Sequence, residues 1–449
     1  MSERRKVLEL FYKHREYIDE RVNAGIELYR KGYAVITVKD ENGQVIPDAK
    51  VRIKQKTHDF KYGSNLFMLD ELETEEKNEK YREIMADFGN MATLPFYWDA
   101  TEPEKGKTRY EKDSVKVYRR PPIDLCVEFC EKHGIEPREH ALAYEGFFPK
   151  WLYGADTFET KKELERRYKE ISERYANRIR TIEVTNEMEW GEGKTEFYNQ
   201  PDYVEWCFKL AEKYFPHNQL VINEHTGLCW GDGCYPTDKY YSYIEAAIQR
   251  GARIDAIGMQ YHQFHNRENE YKSTRGTYSP LKIFWHLDLY AKFGKPIHIT
   301  EVTIPAYSWE KEDEEIQAEL IENLYKIWFS HPNVEQIIYW NMIDGYAHLW
   351  DPDPEKIKQS QGNMAIGENY YYGGLLRFDM TPKPAFYTIK NLFEKKWHTE
   401  TETTTNGCGE FKFRGFYGKY DVEIEQNGKV ITKEIKLSKN RRNIFEIKI

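Results

Sequence analysis

Two glutamates, Glu187 and Glu301, each close a short apolar run. The first run is TIEVTNEMEW (residues 181–190), where Ile182 and Val184 alternate with Thr181, Glu183 and Thr185 before Asn186 and Glu187 arrive. The second is PIHITE (residues 296–301). Alternation that stops abruptly at polar residues predicts a short buried strand with a carboxylate at its C-terminal tip. Parallel β/α barrels present reactive groups to their active face in this way. Two carboxylates on two strand ends over one cleft are the equipment for glycosidic-bond hydrolysis, one as acid/base and the other as nucleophile or base. The acid must hold a proton, release it and take one back, which calls for a raised pKa. The nucleophile must stay ionised, which hydrogen-bond donors such as His262 would favour. An amide beside the acid, Asn186, suits the 2-hydroxyl of the sugar being cleaved.

The elements that must position these groups lie between residues 58 and 398. Eight strand-like runs, at 60–64, 91–98, 136–144, 181–185, 219–223, 255–261, 296–300 and 336–340, alternate with charged stretches of helical period such as ETKKELERRYKEISERYANR. The spacing predicts an α/β fold, a (β/α)8 barrel with enlarged loops. Polar residues gather at the strand ends: Arg138, Glu139 and His140, with Tyr144 beyond; Asn186 and Glu187; Asn223 and Glu224; Gln260 and His262; Glu301; and Asn341 after Trp340. Any one of them has an ordinary explanation as a loop or packing residue. Their recurrence on successive strand ends points to a shared site.

The flanks differ from the barrel. Residues 2–31 predict one helix, with Val7, Leu8, Phe11, Ile18, Val22, Ile26 and Tyr29 along a stripe and Gly32 as its stop. Residues 33–56 alternate around Asn42-Gly43, a β-hairpin signal, and the C-terminal region turns again at Asn427-Gly428. Neither segment can build a core alone. The expected organisation is an N-terminal helix and β segment (1–57), the barrel (58–398) and a C-terminal β segment (399–449). That last segment is expected to pair with residues 33–57 as a small accessory β-sandwich.

Composition sets the outer bounds. The 449 residues carry a net charge of −9, which argues against nucleic acid and anionic membranes as partners; the oligo- or polysaccharide substrate is expected from the paired carboxylates. Aromatic residues make up 15%, enough to supply sugar-stacking faces as well as packing. The first twenty residues hold no apolar run of signal-peptide or membrane-span length, so a cytoplasmic protein, or a secreted one whose leader was removed, is expected. Cys126 and Cys130 sit four apart in IDLCVEFCEKHG and read as small buried hydrophobes. Cys229 and Cys234, in CWGDGC, could pair, but no second cysteine motif accompanies them and a zinc site is not expected. No metal or organic cofactor is implied.

From 60 to 398 the chain resembles glycoside hydrolase family 10, the (β/α)8 endo-β-1,4-xylanases. TIEVTNE is similar to that family's acid/base strand and IHITE to its nucleophile strand; GMQYHQ (258–263) resembles its Gln-x-His strand and PREHALAY (137–144) its Arg-Gly-His-x-Leu-x-Trp strand. WDATEPEKG, YWNMIDGYAHLW and GGLLRFDMTPKPAF also match, in the family's order. The resemblance implies a retaining double displacement, with Glu187 as acid/base, Glu301 as nucleophile and their carboxyls roughly 5–5.5 Å apart. It further implies that His140, Asn186, Gln260 and His262 surround the sugar at the cleavage point, with Trp340 and Trp350 as aromatic walls.

Three departures stand out. Residues 93–98 read TLPFYW where the family carries Glu-Asn-x-Met-Lys-Trp, whose polar members bind sugars on the non-reducing side of the cut. Tyr144 and Glu145 replace its Trp-His, and Thr303 replaces an Asp after the nucleophile, removing an expected partner of His262. The catalytic equipment is therefore expected to be intact and substrate recognition rebuilt. Cleavage of xylan or xylo-oligosaccharides is the first expectation. A decorated or non-xylan β-glycoside is the alternative, and a non-catalytic carbohydrate-binding protein the second alternative.

Overall fold

The computed structural model describes residues 3–189, 193–231, 238–350 and 352–449. Its centre is a closed barrel of eight parallel strands. They are β3 (Lys61–Asn65), β4 (Met91–Pro95), β5 (Glu136–His140), β6 (Thr181–Asn186), β7 (Gln219–Glu224), β8 (Ala256–His262), β9 (Ile297–Thr303) and β10 (Val334–Tyr339). Each strand pairs with the next, and β10 closes on β3. The eight predicted runs are these eight strands, displaced at their ends. β9 runs past Glu301 to Thr303, so Glu301 is not the last residue of its strand as expected. β5 stops at His140, short of the predicted 144, although Leu142 and Ala143 still donate to the carbonyls of Glu183 and Val184 in β6 and Ala143 bridges Thr185.

The helices wrap the barrel on stripes that the sequence already carries. Thr157–Tyr175 is capped by Asp156, whose side chain accepts from the Glu159 amide at 2.8 Å, and it buries Leu164, Tyr168, Ile171 and Tyr175. Ile123–His133 ends at Gly134 with a φ of 69°, the left-handed C-cap position that glycine fills without strain. Its Cys126 and Cys130 are buried, and burial pushes both thiols up, as fits packing residues. Cys234 lies outside the described residues, so its pairing with Cys229 is not described. No described helix is long and apolar enough to cross a membrane.

Two expectations for the N-terminal segment are corrected. The single helix is three pieces, a 3-10 turn at Arg4–Leu8 and helices at Glu9–Lys13 and Arg15–Tyr29, and the break at His14 lets the Leu8/Phe11 and Ile18/Val22/Ile26 stripes both reach the barrel. Gly32 does not stop the helix but lies in β1 (Lys31–Lys39), where a Cβ would sit 2.6 Å from the Tyr417 ring. The two full strands flanking Asn42-Gly43 do not pair with each other. β1 joins β12 (Glu410–Phe416) and β15 (Ile444–Lys448) in one sheet, whereas β2 (Lys50–Gln55) joins β11 (Glu400–Thr404) and β13 (Gly418–Gln426) in another, with β14 (Lys429–Leu437) at its edge. The chain does turn back at Asn42-Gly43, where the Asp40 amide donates to the Gln44 carbonyl (2.8 Å) and Lys39 bridges Val45 antiparallel, but beyond Ile46 it crosses to the second sheet, where β2 gains a longer ladder and a shared core with the C-terminal strands. That core holds Ile36, Val38, Ile53, Phe413, Val422, Ile424 and Leu437. The other turn, Asn427-Gly428, does join β13 to β14 with both residues at positive φ (50° and 77°), as a tight hairpin needs.

An aromatic seam fastens this accessory unit to the barrel. Phe416 of β12 crosses into the barrel core beside Phe329 (centroids 6.1 Å apart), meeting a barrel cluster in which Trp397 stacks on Phe329 (3.9 Å) and Phe393 on Tyr62 (3.7 Å).

Candidate active site

The mouth of the barrel opens into a cleft of about 830 Å³ at the C-terminal ends of the strands. Asn186, Glu187, Gln260, His262, Glu301, Tyr144, His140, Trp340 and Trp350 all line it. Strand register explains why they meet. Asn186 is the Cα partner of Asn223, and a register shift between Met259 and Gln260 sets Gln260 opposite Glu301. Bulges of this kind re-aim side chains at barrel rims. Glu187 itself follows β6 with a φ of 50°, a left-handed conformation that is costly for any residue except glycine and is tolerated where a site fixes it. Its amide donates to Asn223 O (3.2 Å) and its carbonyl accepts from the Tyr198 hydroxyl (3.3 Å).

One connected lattice links the two carboxylates. Gln260 Nε2 donates to Glu187 Oε1 (2.9 Å) and to Asn186 Oδ1 (3.2 Å), and the Tyr144 hydroxyl donates to Glu187 Oε2. Asn223 Nδ2 donates to Glu301 Oε1 (2.9 Å) and to Asn186 Oδ1 (3.0 Å), and His262 Nε2 lies 3.2 Å from Glu301 Oε2. Asn186 thereby has its oxygen doubly satisfied, while its buried Nδ2 has no protein acceptor among the described residues. A buried donor left over in a cleft calls for an acceptor from outside the protein.

Beneath Glu301 sits a third carboxylate that the sequence reading missed. Glu183 is fully buried, pairs with Arg138, and lies 2.8 Å from Nδ1 of His140. His140 Nε2 in turn lies 3.0 Å from the Tyr97 hydroxyl. Burial alone would raise Glu183, but Arg138, His140 and its hydrogen bonds hold it below the usual carboxylate range. Glu301 goes the other way. Burial, with Glu183 and Glu187 adding repulsion against the pull of His140, pushes it up to about 8. The donors expected at Glu301 are in place, but burial and two neighbouring carboxylates oppose their pull, and three such close groups favour holding a shared proton. His140, Glu183 and Glu301 place ligand-type atoms within 4.8 Å of one another, but Arg138 already neutralises Glu183 and the donors of Asn223 and His262 occupy Glu301.

The expected loss of a partner for His262 is also overturned. Thr303, although not an aspartate, places Oγ1 2.9 Å from His262 Nδ1. Burial lowers His262 to about 4, so the ring is neutral and carries a single N–H.

The chain's main barrel region, residues 58–392, matches the family model of glycosyl hydrolase family 10. The chain belongs to that family.

Curated relatives are distant. The anti-sigma-I factor RsgI6 of Acetivibrio thermocellus is 24% identical over 92% of this chain and 47% of its own length. Endo-1,4-beta-xylanase B of Cellvibrio japonicus is 22% identical over 66% of this chain and 43% of its own. The chain spans less than half the length of these relatives. Among solved structures, the native xylanase 10B of Thermotoga maritima is similar with a TM-score of 0.58 at 23% identity, covering 75% of this chain and 96% of that one. Its counterpart from Thermotoga petrophila, in complex with xylobiose, gives 0.57 at 23% identity over 75% and 95%. These likenesses carry the fold.

Within that fold, several positions of the family 10 chain differ from the sequence reading in role. Glu224, at the end of β7, does not face the cleft. It accepts from the Met188 and His225 amides (both 2.9 Å), tying down the segment after Glu187, and burial pushes it up to about 8. Trp340 is buried against Phe67 and His140, whereas Trp350 is 65% exposed and stands at the rim. The replaced 93–98 stretch brings Tyr97 into the wall beside His140. Behind it stand Arg119 and Arg120, two cleft residues that nothing in VYRRPPID singled out. Glu145, replacing the family's His, lines the cleft and accepts from the amide and hydroxyl of Thr195 at 2.7 and 3.2 Å.

Proposed function

We propose that this chain is a retaining glycoside hydrolase that cleaves β-1,4-xylosidic bonds in xylan or xylo-oligosaccharides by double displacement. The observation that carries the reading is the hydrogen-bonded lattice joining Glu187 and Glu301 across one cleft of a family 10 barrel. Glu187, reached by Tyr144 and Gln260, is the acid/base. It protonates the departing glycosidic oxygen and then deprotonates the incoming water. Glu301, gripped by Asn223 and His262, is the nucleophile. It attacks the anomeric carbon to form a glycosyl ester that water later cleaves. Two carboxylates and one shared proton are the inventory this chemistry needs. That proton must stand on Glu187 when the glycosidic oxygen arrives. The leftover Nδ2 of Asn186 is the donor for the sugar 2-hydroxyl, a contact that strengthens in the transition state. Trp340 supplies the apolar wall and Trp350 the exposed rim. No metal or organic cofactor enters these steps.

A product time course on an end-labelled linear xylo-oligosaccharide tests the reading. Internal cleavage with the β-anomer formed first supports it; absence of turnover by folded protein overturns the xylan assignment.

The altered 93–98 stretch favours a second substrate reading, a decorated or non-xylan β-glycoside. A carbohydrate-binding role without turnover is the third reading. A glycan panel scored for both binding and cleavage separates the three.

A further inference from the structure

Arg119 and Arg120 are buried, at 4% and 7% exposed, yet both line the catalytic cleft. A buried guanidinium normally has a carboxylate beside it, because removing the charge from water is otherwise costly. Neither arginine has one within ion-pair distance among the described residues. Glu368 faces Arg119 and Asp99 faces Arg120, each close enough to act through its charge but not to form an ion pair.

Their hydrogen bonds fall equally short. One N–H of Arg119 reaches the carbonyl of Tyr346, and its Nε is buried with no partner. One N–H of Arg120 reaches the carbonyl of Arg119 at 3.0 Å. A guanidinium carries five N–H donors, so the pair keeps most of its capacity in hand. Aromatic rings hold the two groups in place. The Arg120 guanidinium lies 3.6 Å from the centroid of Tyr97 and 5.5 Å from that of Phe147, and Arg119 lies 5.5 Å from that of Phe67. Stacking uses the flat face and leaves the N–H edge open. His348 lines the same wall, and burial next to the two guanidiniums drives it to about 3, so it adds no charge of its own.

This wall reaches the reacting centre through few contacts. Tyr97, beneath Arg120, is hydrogen-bonded to His140, whose Nδ1 lies 3.9 Å from Glu301. A planar fork of donors, pre-oriented and short of an anion, is the recognition element for a carboxylate. We propose that Arg119 and Arg120 form a subsite for the carboxylate of a uronic acid, so that the preferred glycan carries an acidic sugar at or next to the cleaved unit. The inference rests on the hydrolase reading for its site but names a different property of it.

The test uses xylotetraoses bearing one glucuronic acid substituent, placed on each sugar in turn, and the same compounds with the carboxyl reduced to the alcohol. Wild-type protein is expected to cleave at least one acidic isomer about tenfold or more faster, in kcat/KM, than its reduced twin. Arg120→Gln should bring that ratio close to one, and Arg120→Lys should restore it only in part, since an ammonium lacks the fork. The wild-type comparison needs no variant and therefore survives any folding defect in Arg120→Gln. Binding of the same pairs to Glu301→Gln, read by calorimetry, gives a second measure independent of turnover. Turnover without preference for any acidic isomer overturns the uronate subsite and leaves the hydrolase reading standing. Preferential binding without turnover overturns the hydrolase reading and leaves the subsite standing. Neither turnover nor preference overturns both.

Discussion

Thr303 Oγ1 stands 2.9 Å from Nδ1 of His262, on the side of the ring opposite Glu301. A neutral imidazole has one N–H to place, and the hydroxyl decides where it goes. When Thr303 donates to Nδ1, the N–H must sit on Nε2, where it can donate to Glu301. Thr303→Val removes that instruction and is expected to lower kcat/KM about fivefold, the worth of one net hydrogen bond of about 1 kcal/mol. Thr303→Ser should retain wild-type kinetics. Equal rates for Val and wild type would show that the hydroxyl does not set the tautomer.

The two carboxylates should fail in different ways when replaced. Glu301→Gln keeps shape but cannot form the ester intermediate, so turnover should drop on the order of a thousandfold or more with the fold preserved by circular dichroism. Glu187→Ala removes acid/base assistance and should cost about 10² to 10⁴ in rate. On an aryl glycoside whose leaving group departs without protonation, added azide, which attacks the glycosyl intermediate without needing a base, should restore turnover to Glu187→Ala and give a β-glycosyl azide. Formation of the β-azide by a Glu301 variant and of the α-azide by the Glu187 variant would interchange the assignments.

Rate should depend on pH through the shared proton. Glu301 is held up at about 8, so the cluster keeps its proton below that value and loses it above. The kcat/KM profile is expected to fall on the alkaline side with an apparent midpoint near pH 8, because the fully ionised pair has no acid to offer. A profile flat through pH 9 would be incompatible with that shared proton.

Stability should follow the same sign. Glu224 and Glu301 both have folded pKa values of about 8, against about 4.3 for a glutamate in an unfolded chain. The folded state binds these protons more tightly, so their stabilising contribution is complete below about pH 4.3 and is lost as pH rises through about 8. Urea denaturation at pH 5.5 and 8.5 reads the slope, which Glu224→Gln should flatten. An unchanged slope in that variant would remove Glu224 as a contributor.

The seam between barrel and accessory sheets should behave as core. Phe329, 1% exposed, stacks on Trp397 and touches the Phe393 and Phe416 rings. Phe329→Ala is expected to cost about 3–5 kcal/mol by denaturant unfolding, in a single transition seen by both near- and far-UV signals. Two separate transitions would mean that the sheets and the barrel unfold independently.

How much of this was legible in the sequence depends on how local each signal is. Ile182 and Val184 before Asn186-Glu187, and the similar run into Glu301, marked both carboxylates because a short buried strand has a two-residue period that is visible within six positions. The turn at Asn427-Gly428 was legible for the same reason: two residues with special backbone needs sit between two alternating runs. Asn42-Gly43 carried the same local signal and does make its tight turn, but beyond Ile46 the chain leaves for partners in the C-terminal segment, which no local pattern encodes. Glu183 was hidden in plain alternation, where an inward-facing glutamate in a barrel strand could have been suspected. Arg119 and Arg120 carried no periodic or motif signal at all. Their position against Tyr97 and Phe67 exists only once β3, β4 and the following loop are folded together.

The crossing of the chain between two sheets has a consequence for how the molecule is made. Arg52 of β2 and Glu400 of β11, which pair across neighbouring strands, are separated by 348 residues. Strands synthesised first must therefore wait, unpaired, until almost the whole barrel has left the ribosome. During that interval β1 and β2 are open edges able to recruit other chains. The alternating lysines and arginines of β2 keep one face of that waiting ribbon charged, with Lys50, Arg52 and Lys54 all exposed. A barrel lacking β11 and β13 would leave that ribbon without its partners, so the segment carrying these strands acts as the clasp that closes it.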